Sequence, residues 1–598
     1  MGSVESTGVP RKLLPSPRSS GQISGMGPIR TRDDAGVVLT YEDFYGEMPT
    51  LDALIAILTK FSADDWLCQL ARLSVLLGGE NSRRPQWANA FLVNFTPPDK
   101  VGEINAWFAK HQSQGITATV PSERDIGILI ELAILHAPPS AARRMEFPAD
   151  SKVVFDALLM VTSLSQPRLD GVSASKEIAS ICATMWVRSL CPDPVALASH
   201  GYHLFEVLKS QRSAKAAEWA SIFKMATGQT IDDYFAGGVS IIAQLLSQSP
   251  QDIGSCWTSI YDPKHLVKTS SIKKPLEAYC CLRASSLMEL KRSIDEEETN
   301  KTDIGAYNLI ALKRSPLVEY ADTIYPLYLH GIATSVLDGV YHAVIPSAED
   351  DNSVNARKRI GGIFGTLYEQ DILNILTLGF GDRVLRNPVR TDNAKEAADA
   401  VLLCDQGLIV FQIKGCHVPV QTRFLLRTPS TLQELFQRVG LTRATEQLAQ
   451  TTEACRQGVV QGIPEYWSRA DTFIQPIIVT YERVPEISLV RAEIEALTST
   501  ACDRQTRKPI LVCSDDVERL TSLPPGETLW GLTTEYISDQ GYRSRCFHNF
   551  LNRKGVKGGE LFVERRRAML RTVAQHLGFD PAALQEELPK NGDLGDSA

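Results

Sequence analysis

Residues 399–415 read DAVLLCDQGLIVFQIKG: Asp399, then the apolar run 400–404, Asp405-Gln406-Gly407, then Leu408 to Gly415. Two strand-length apolar runs flank a turn-forming tripeptide, which is the pattern of a β-hairpin. The runs are nearly all apolar, so both faces of the sheet they form should be covered. Against that background Asp399, Gln412 and Lys414 are anomalies. Gln412 and Lys414 are two apart and share a face. With Gln406-Gly407 as the loop, Asp405 pairs with Leu408, Asp399 falls opposite Lys414, and Gln412 lies on the diagonal. A slip of one residue would separate them.

Working outward, a helix is expected at about 359–378, and short strands in VLRNPVR, DAVLLC and GLIVFQIK. A helix follows in LTRATEQLAQTTEACRQG, then strands in FIQPIIVTY and KPILVCS. That order predicts an α/β unit with a central mixed sheet flanked by helices. Upstream, residues 31–345 read as an α-helical region, with segments at about 124–136, 152–164, 175–190, 203–226 and 230–247. Ser62 reads as the cap of SADDWLCQLARLSVLL, with Asp64 and Asp65 in its first turn, and Thr230 as the cap of a later helix. The charged runs 293–303 and 346–358 read as solvated loops, the second marking a boundary. The overall fold class is therefore α+β. A disordered arm (1–30) and the helical region precede the α/β module (346–525). A basic helical extension (526–585) and a disordered tail (586–598) follow it.

A carboxylate, an amide oxygen and a lysine converging at a strand end have chemical value. Asp399 and Gln412 offer oxygens to a hard cation such as Mg²⁺ or Mn²⁺, and the Ile413 carbonyl offers another. Such an ion polarises a phosphodiester and acidifies water. Lys414 would orient that water or meet charge developing on the phosphate.

These residues resemble the PD-(D/E)XK nuclease superfamily, and within it the Mrr-like branch, which carries Q-x-K where most relatives have E-x-K. Gln412-Ile413-Lys414 fits, and Asp399 fits the motif aspartate, although Ala398 stands where proline is usual. The resemblance covers about residues 357–515. It implies a restriction-endonuclease-like fold and Mg²⁺-dependent cleavage of DNA, with a role in bacterial restriction or anti-phage defence. It implies that Glu369, on the helix before the sheet, supports the metal or its waters. It also implies that Arg443 and Gln447, on the helix after the third strand, point back at the site. One site cuts one strand, so a double-strand break would call for a homodimer or two events. RNA is an alternative substrate. A nuclease fold that binds nucleic acid or acts as a scaffold without cutting is another reading. So is a plain buried Asp–Lys pair, though burying one without function is costly.

Composition narrows the field. The chain has 598 residues and a formal net charge of −8, so nucleic acid would be gripped by local patches and not by bulk charge. Arg565, Arg566 and Arg567 offer one such basic patch, or else lie on a merely solvated helix whose other face is apolar. His417 follows the Q-x-K strand and could reach the site, though it reads first as a surface or structural histidine. The twelve cysteines include no CxxC pair, which suits a reducing cytoplasm. No apolar stretch is long enough to span a membrane. Neither a G-x-S-x-G elbow nor a P-loop is present, so a partner protein would have to supply any ATP-driven sensing.

Overall fold

The computed structural model describes residues 37–78, 85–114, 118–146, 149–165, 194–207, 213–246, 270–298, 307, 309–320, 323–345, 351–416, 436–437, 440–467, 472–481, 506–524, 526–538, 546–556 and 559–578. The N-terminal arm to residue 36, the helix expected at 175–190, His417 with the loop after it, and the tail from 586 lie outside the described residues.

The first half is helical for local reasons. Ser62 and Asp65 form a reciprocal capping box at the start of Ala63–Leu77, which satisfies backbone donors that the helix leaves open. Trp66, Leu67, Leu70, Leu73 and Leu77 are all buried. Thr230 Oγ1 accepts from the Asp233 amide at 3.1 Å and caps Ile231–Leu246. A three-stranded sheet (Ala284–Ser286, Leu317–Tyr320, Thr323–Pro326) interrupts the helices. Among the described residues no helix is long and apolar enough to cross a membrane.

Elements of the second half are numbered from its first helix: α1 (Asp351–Phe380), β1 (Val384–Arg386), β2 (Ala400–Cys404), β3 (Gly407–Lys414), α2 (Leu441–Arg456), β4 (Ile474–Thr480), β5 (Ile510–Cys513), α3 (Ser514–Leu520), α4 (Leu529–Ser538), α5 (Phe547–Arg553) and α6 (Glu560–His576). The five strands form one mixed sheet in the order β5-β4-β3-β2-β1. β2 runs antiparallel to both β1 and β3, while β3, β4 and β5 run parallel. The chain is thus an α+β protein with a helical N-terminal region, as its patterning predicts.

Helix occupies part of both expected loops. α1 begins at Asp351, inside the run 346–358, and Leu287–Glu297 extends into 293–303. Acids, Asn and Ser gather at helix starts as well as in loops. In the second case Leu290 and Ile294 lie four apart and are both buried, so an apolar stripe outweighs the charge.

Both faces of the sheet are covered. Ile409, Phe411 and Ile413 join an apolar cluster that includes α1 residues and continues into the N-terminal helices. Leu408 and Val410 face the other way, against Leu441, Ala444 and Leu448 of α2. The two halves therefore share one core. Phe364 of α1 meets Tyr341 edge-on at 4.9 Å, and Tyr481 donates to Asp338 at 2.7 Å.

At the end of β3 the chain passes α1 closely. A Cβ on Gly415 would lie 2.9 Å from Gly365 Cα and 2.9 Å from Tyr368 Cβ. Neither atom is the tip of a flexible side chain, so the helix itself would have to shift. Gly415→Ala is expected to cost about 1–3 kcal/mol, as overpacking does. It should appear as a lower urea midpoint at unchanged slope.

Candidate active site

The hairpin closes at Cys404–Gly407, with Asp405-Gln406 as its turn. The tightness there comes from Gly407, where a Cβ would meet the Phe473 carbonyl oxygen at 2.3 Å and the Trp530 ring at 2.6 Å. The pairing is therefore two residues away from the expected register. Leu403 faces Leu408 and Ala400 faces Phe411, so one step further out Asp399 comes opposite Gln412, and Lys414 takes the diagonal. A shift of two preserves the side-chain parity. The three polar residues still share a face, the one that α2 covers.

Asp399 lies just beyond the last paired residue of β2. Its carboxylate accepts the Ile413 amide, in place of the ladder bond that β2 no longer offers. Lys414 Nζ is 3.8 Å from Asp399 Oδ2 and donates to Gln412 Oε1 at 3.3 Å. Two oxygens from neighbouring strands thus converge on one ammonium. Asp399 is 8% exposed and Gln412 is 1% exposed, so both sit in low dielectric. Burial raises the Asp399 pKa; the charges of Lys414 and Arg443 and the Ile413 amide offset only part of that.

Glu369 arrives from α1, which covers the opposite face and runs past the strand ends. Its carboxyl is pushed up to about 7, first by burial, then by the charges of Asp399 and Glu396, against the opposing effects of Lys414 and the Asn387 amide. Between the unfolded value near 4.5 and about 7 the folded chain holds a proton that the unfolded chain has lost. Stability is therefore lost as pH rises through that window. Glu369→Gln has no such proton and should gain relative to the wild type at pH 8 but not at pH 4.5. After discounting for a half-exposed carboxylate, a difference of roughly 1 kcal/mol corresponds to a Tm gain of about 2–4 °C.

Two contributors were not legible beforehand. Glu396, at the exposed rim, has its pKa raised by partial desolvation and by Asp399. It reaches the site because the segment before β2 folds back on the one after β1, with Val389 bridged to Glu396 and the Ala397 amide bonded to the Pro388 carbonyl at 2.7 Å. Asn387 is held at φ 43° immediately before a proline, a conformation costly for a non-glycine residue, and its side chain hydrogen-bonds Glu369. The Asn-Pro dipeptide was the one local signal. Nothing in the sequence ties either residue to the site.

Gly440, in the left-handed region at φ 73°, starts α2 against the Lys414 stem, where a Cβ would lie 3.3 Å from Lys414 Cδ. Arg443, in the first turn of α2, is exposed, and its charge acts on Asp399. Gln447 lies one turn on, its amide oxygen buried and, among the described residues, without a hydrogen-bond partner. Arg565 corrects the expected basic patch. It is 6% exposed and ion-paired with Asp371 and Glu518, so its charge is spent inside the protein and cannot meet a phosphate. Arg566 is half-buried, and Arg567 pairs with Glu564 at 2.9 Å on its own helix.

Among the described residues no three His, Cys, Asp or Glu side chains come close enough together to hold a metal ion. The donors here are two carboxylates, the buried one of Asp399 and that of Glu369, with the amide oxygen of Gln412. The Ile413 carbonyl leaves the strand on the same edge as its amide. That oxygen set, short of charge, fits Mg²⁺, which keeps several waters. No protein-family model, no curated protein and no solved structure matches the chain.

Proposed function

We propose that this site is the catalytic centre of a Mg²⁺-dependent endonuclease that hydrolyses phosphodiester bonds in DNA. The observation that carries the reading is the convergence of Asp399 and Gln412 oxygens on Lys414 at one strand end, with a carboxyl poised near pH 7 beside them. Asp399 and Gln412 would hold the ion, and Glu369 would support it through its waters. A bound Mg²⁺ would supply the positive charge that polarises the phosphate and acidifies water.

The remaining work falls to the chain's own residues. The Lys414 ammonium lies within reach of the ligand oxygens and positions the attacking water, or meets charge gathering on the phosphate oxygens. Glu369, once ionised, accepts the proton that the water releases as its oxygen bonds to phosphorus and the bond to the departing oxygen breaks. A base works best when its pKa lies near the working pH; burial and the charges of Asp399 and Glu396 raise Glu369 toward that range, and a bound cation would draw it back down. Arg443 offers a charge to the nucleic-acid backbone at the mouth of the site.

The test is a cleavage assay with Mg²⁺ or Mn²⁺ on supercoiled plasmid, single-stranded DNA and RNA, comparing wild type with Asp399→Ala. Loss of cleavage in the variant supports the reading, and activity that survives it overturns the assignment. Preference for RNA would keep the chemistry and change the substrate. A second reading, a nuclease fold that binds without cutting, draws on one observation. Asp399, Gln412 and Lys414 satisfy one another without a metal. It predicts DNA retention with no cleavage under either metal. The role of such an effector in bacterial restriction or phage defence, with the helical half as regulator, rests on the family resemblance alone.

A further inference from the structure

Glu369 shares α1 with a second buried acid, Asp371, which is 4% exposed. Two residues turn a helix by roughly 200°, so the two carboxylates leave α1 on nearly opposite sides. Asp371 accepts through both oxygens from Arg565 Nη2 of α6, at 3.1 and 3.1 Å. Arg565 Nε is 2.6 Å from Glu518 Oε1 of α3. Glu518 Oε1 lies 3.8 Å from His200 Nδ1, and His200 Nε2 is 2.6 Å from Asp515 Oδ1. The next turn adds His203, whose Nε2–H donates to the Arg565 carbonyl at 2.9 Å. His200 and His203 belong to the helical N-terminal region.

Burial works against charge on His200, but Glu518 and Asp515 outweigh it and its pKa is raised. Burial pushes His203 down to about 4, so it stays neutral. The polar contacts therefore run unbroken from the N-terminal region to α1. Apolar residues of equal volume would hold these helices at least as well, because burying ions is costly. Apolar packing has no direction, however. A guanidinium that meets Asp371 through Nη2 and Glu518 through Nε spans two carboxylates on different helices, and its rigid plane fixes the angle between them.

We infer that this chain of charges is a positioning device, in which His200, Glu518 and Arg565 fix the rotation of α1 through Asp371 and so set how Glu369 meets Asp399 and Lys414. The helical N-terminal region thereby becomes a determinant of the site's geometry. The catalytic part of this inference rests on the nuclease reading of the site.

Arg565→Lys keeps the charge and loses the fork. His200→Gln is the milder variant should the first fold poorly. Hydrogen–deuterium exchange is followed in the full-length chain, in peptides covering 364–373 and 408–413. Both variants should speed exchange at least tenfold in the α1 peptide and leave the β3 peptide unchanged. In the cleavage assay the half-saturating Mg²⁺ concentration should rise about tenfold at unchanged KM for DNA. A purely structural role would lower the active fraction alone. Unchanged exchange in α1, or equal acceleration in both peptides, would overturn the inference. Localised acceleration in a chain whose wild type cuts no substrate would uphold the positioning role and defeat the nuclease reading instead.

Discussion

Lys414→Ala is expected to lower cleavage by about 10²–10³-fold at saturating Mg²⁺, the usual range when one preorganised donor to a developing charge is lost. The change should fall on kcat, with KM for DNA little altered, since the ammonium acts at the reacting phosphate. Lys414 Nζ lies between Asp399 and Gln412, so its removal also leaves two buried oxygens facing each other. Metal affinity should therefore hold or rise slightly, as a repelling cation is gone. Lys414→Arg should recover little, because the wider guanidinium must displace either the Gln412 oxygen or the Gly440 backbone that packs on the lysine stem. Single-turnover rates at several Mg²⁺ concentrations separate these effects. A kcat within threefold of wild type would remove Lys414 from the chemistry.

Arg565→Ala is expected to be the most destabilising single change among those considered, at about 3–5 kcal/mol, because it leaves buried charges uncompensated. Asp371 and Glu518 are 4% and 3% exposed, and both face the guanidinium. Arg567→Ala, two residues on, is the contrast. Its pair with Glu564 is solvent-washed, and its loss should cost under about 1 kcal/mol. Urea unfolding reads both. Equal costs for the two arginines would mean that the buried cluster contributes no more than a surface pair.

The sequence by itself determined the strands of the second half, several capped helices, and the shared face of Asp399, Gln412 and Lys414. Ser62 and Thr230 cap helices because their side chains serve backbone donors within four residues. The strands are legible because an apolar run bounded by Asp-Gln-Gly has few other structures open to it. Asp399, Gln412 and Lys414 stood out because polar atoms in such strands carry a desolvation cost that calls for a reason. All of this is local chemistry, written within about fifteen residues. What only the tertiary structure decided depends on distance in sequence. The hairpin turns one residue earlier than expected, at Asp405-Gln406, with Gly407 in the strand where Phe473 and Trp530 crowd it. Glu396 and Asn387 meet Glu369 through a fold-back that no local pattern announces. Arg565 reads as a surface cation beside two others, yet Asp371, 194 residues away, and Glu518 draw it inside. A side chain's local pattern gives its secondary structure and its face, whereas its charge state and its role depend on partners that folding alone brings into contact.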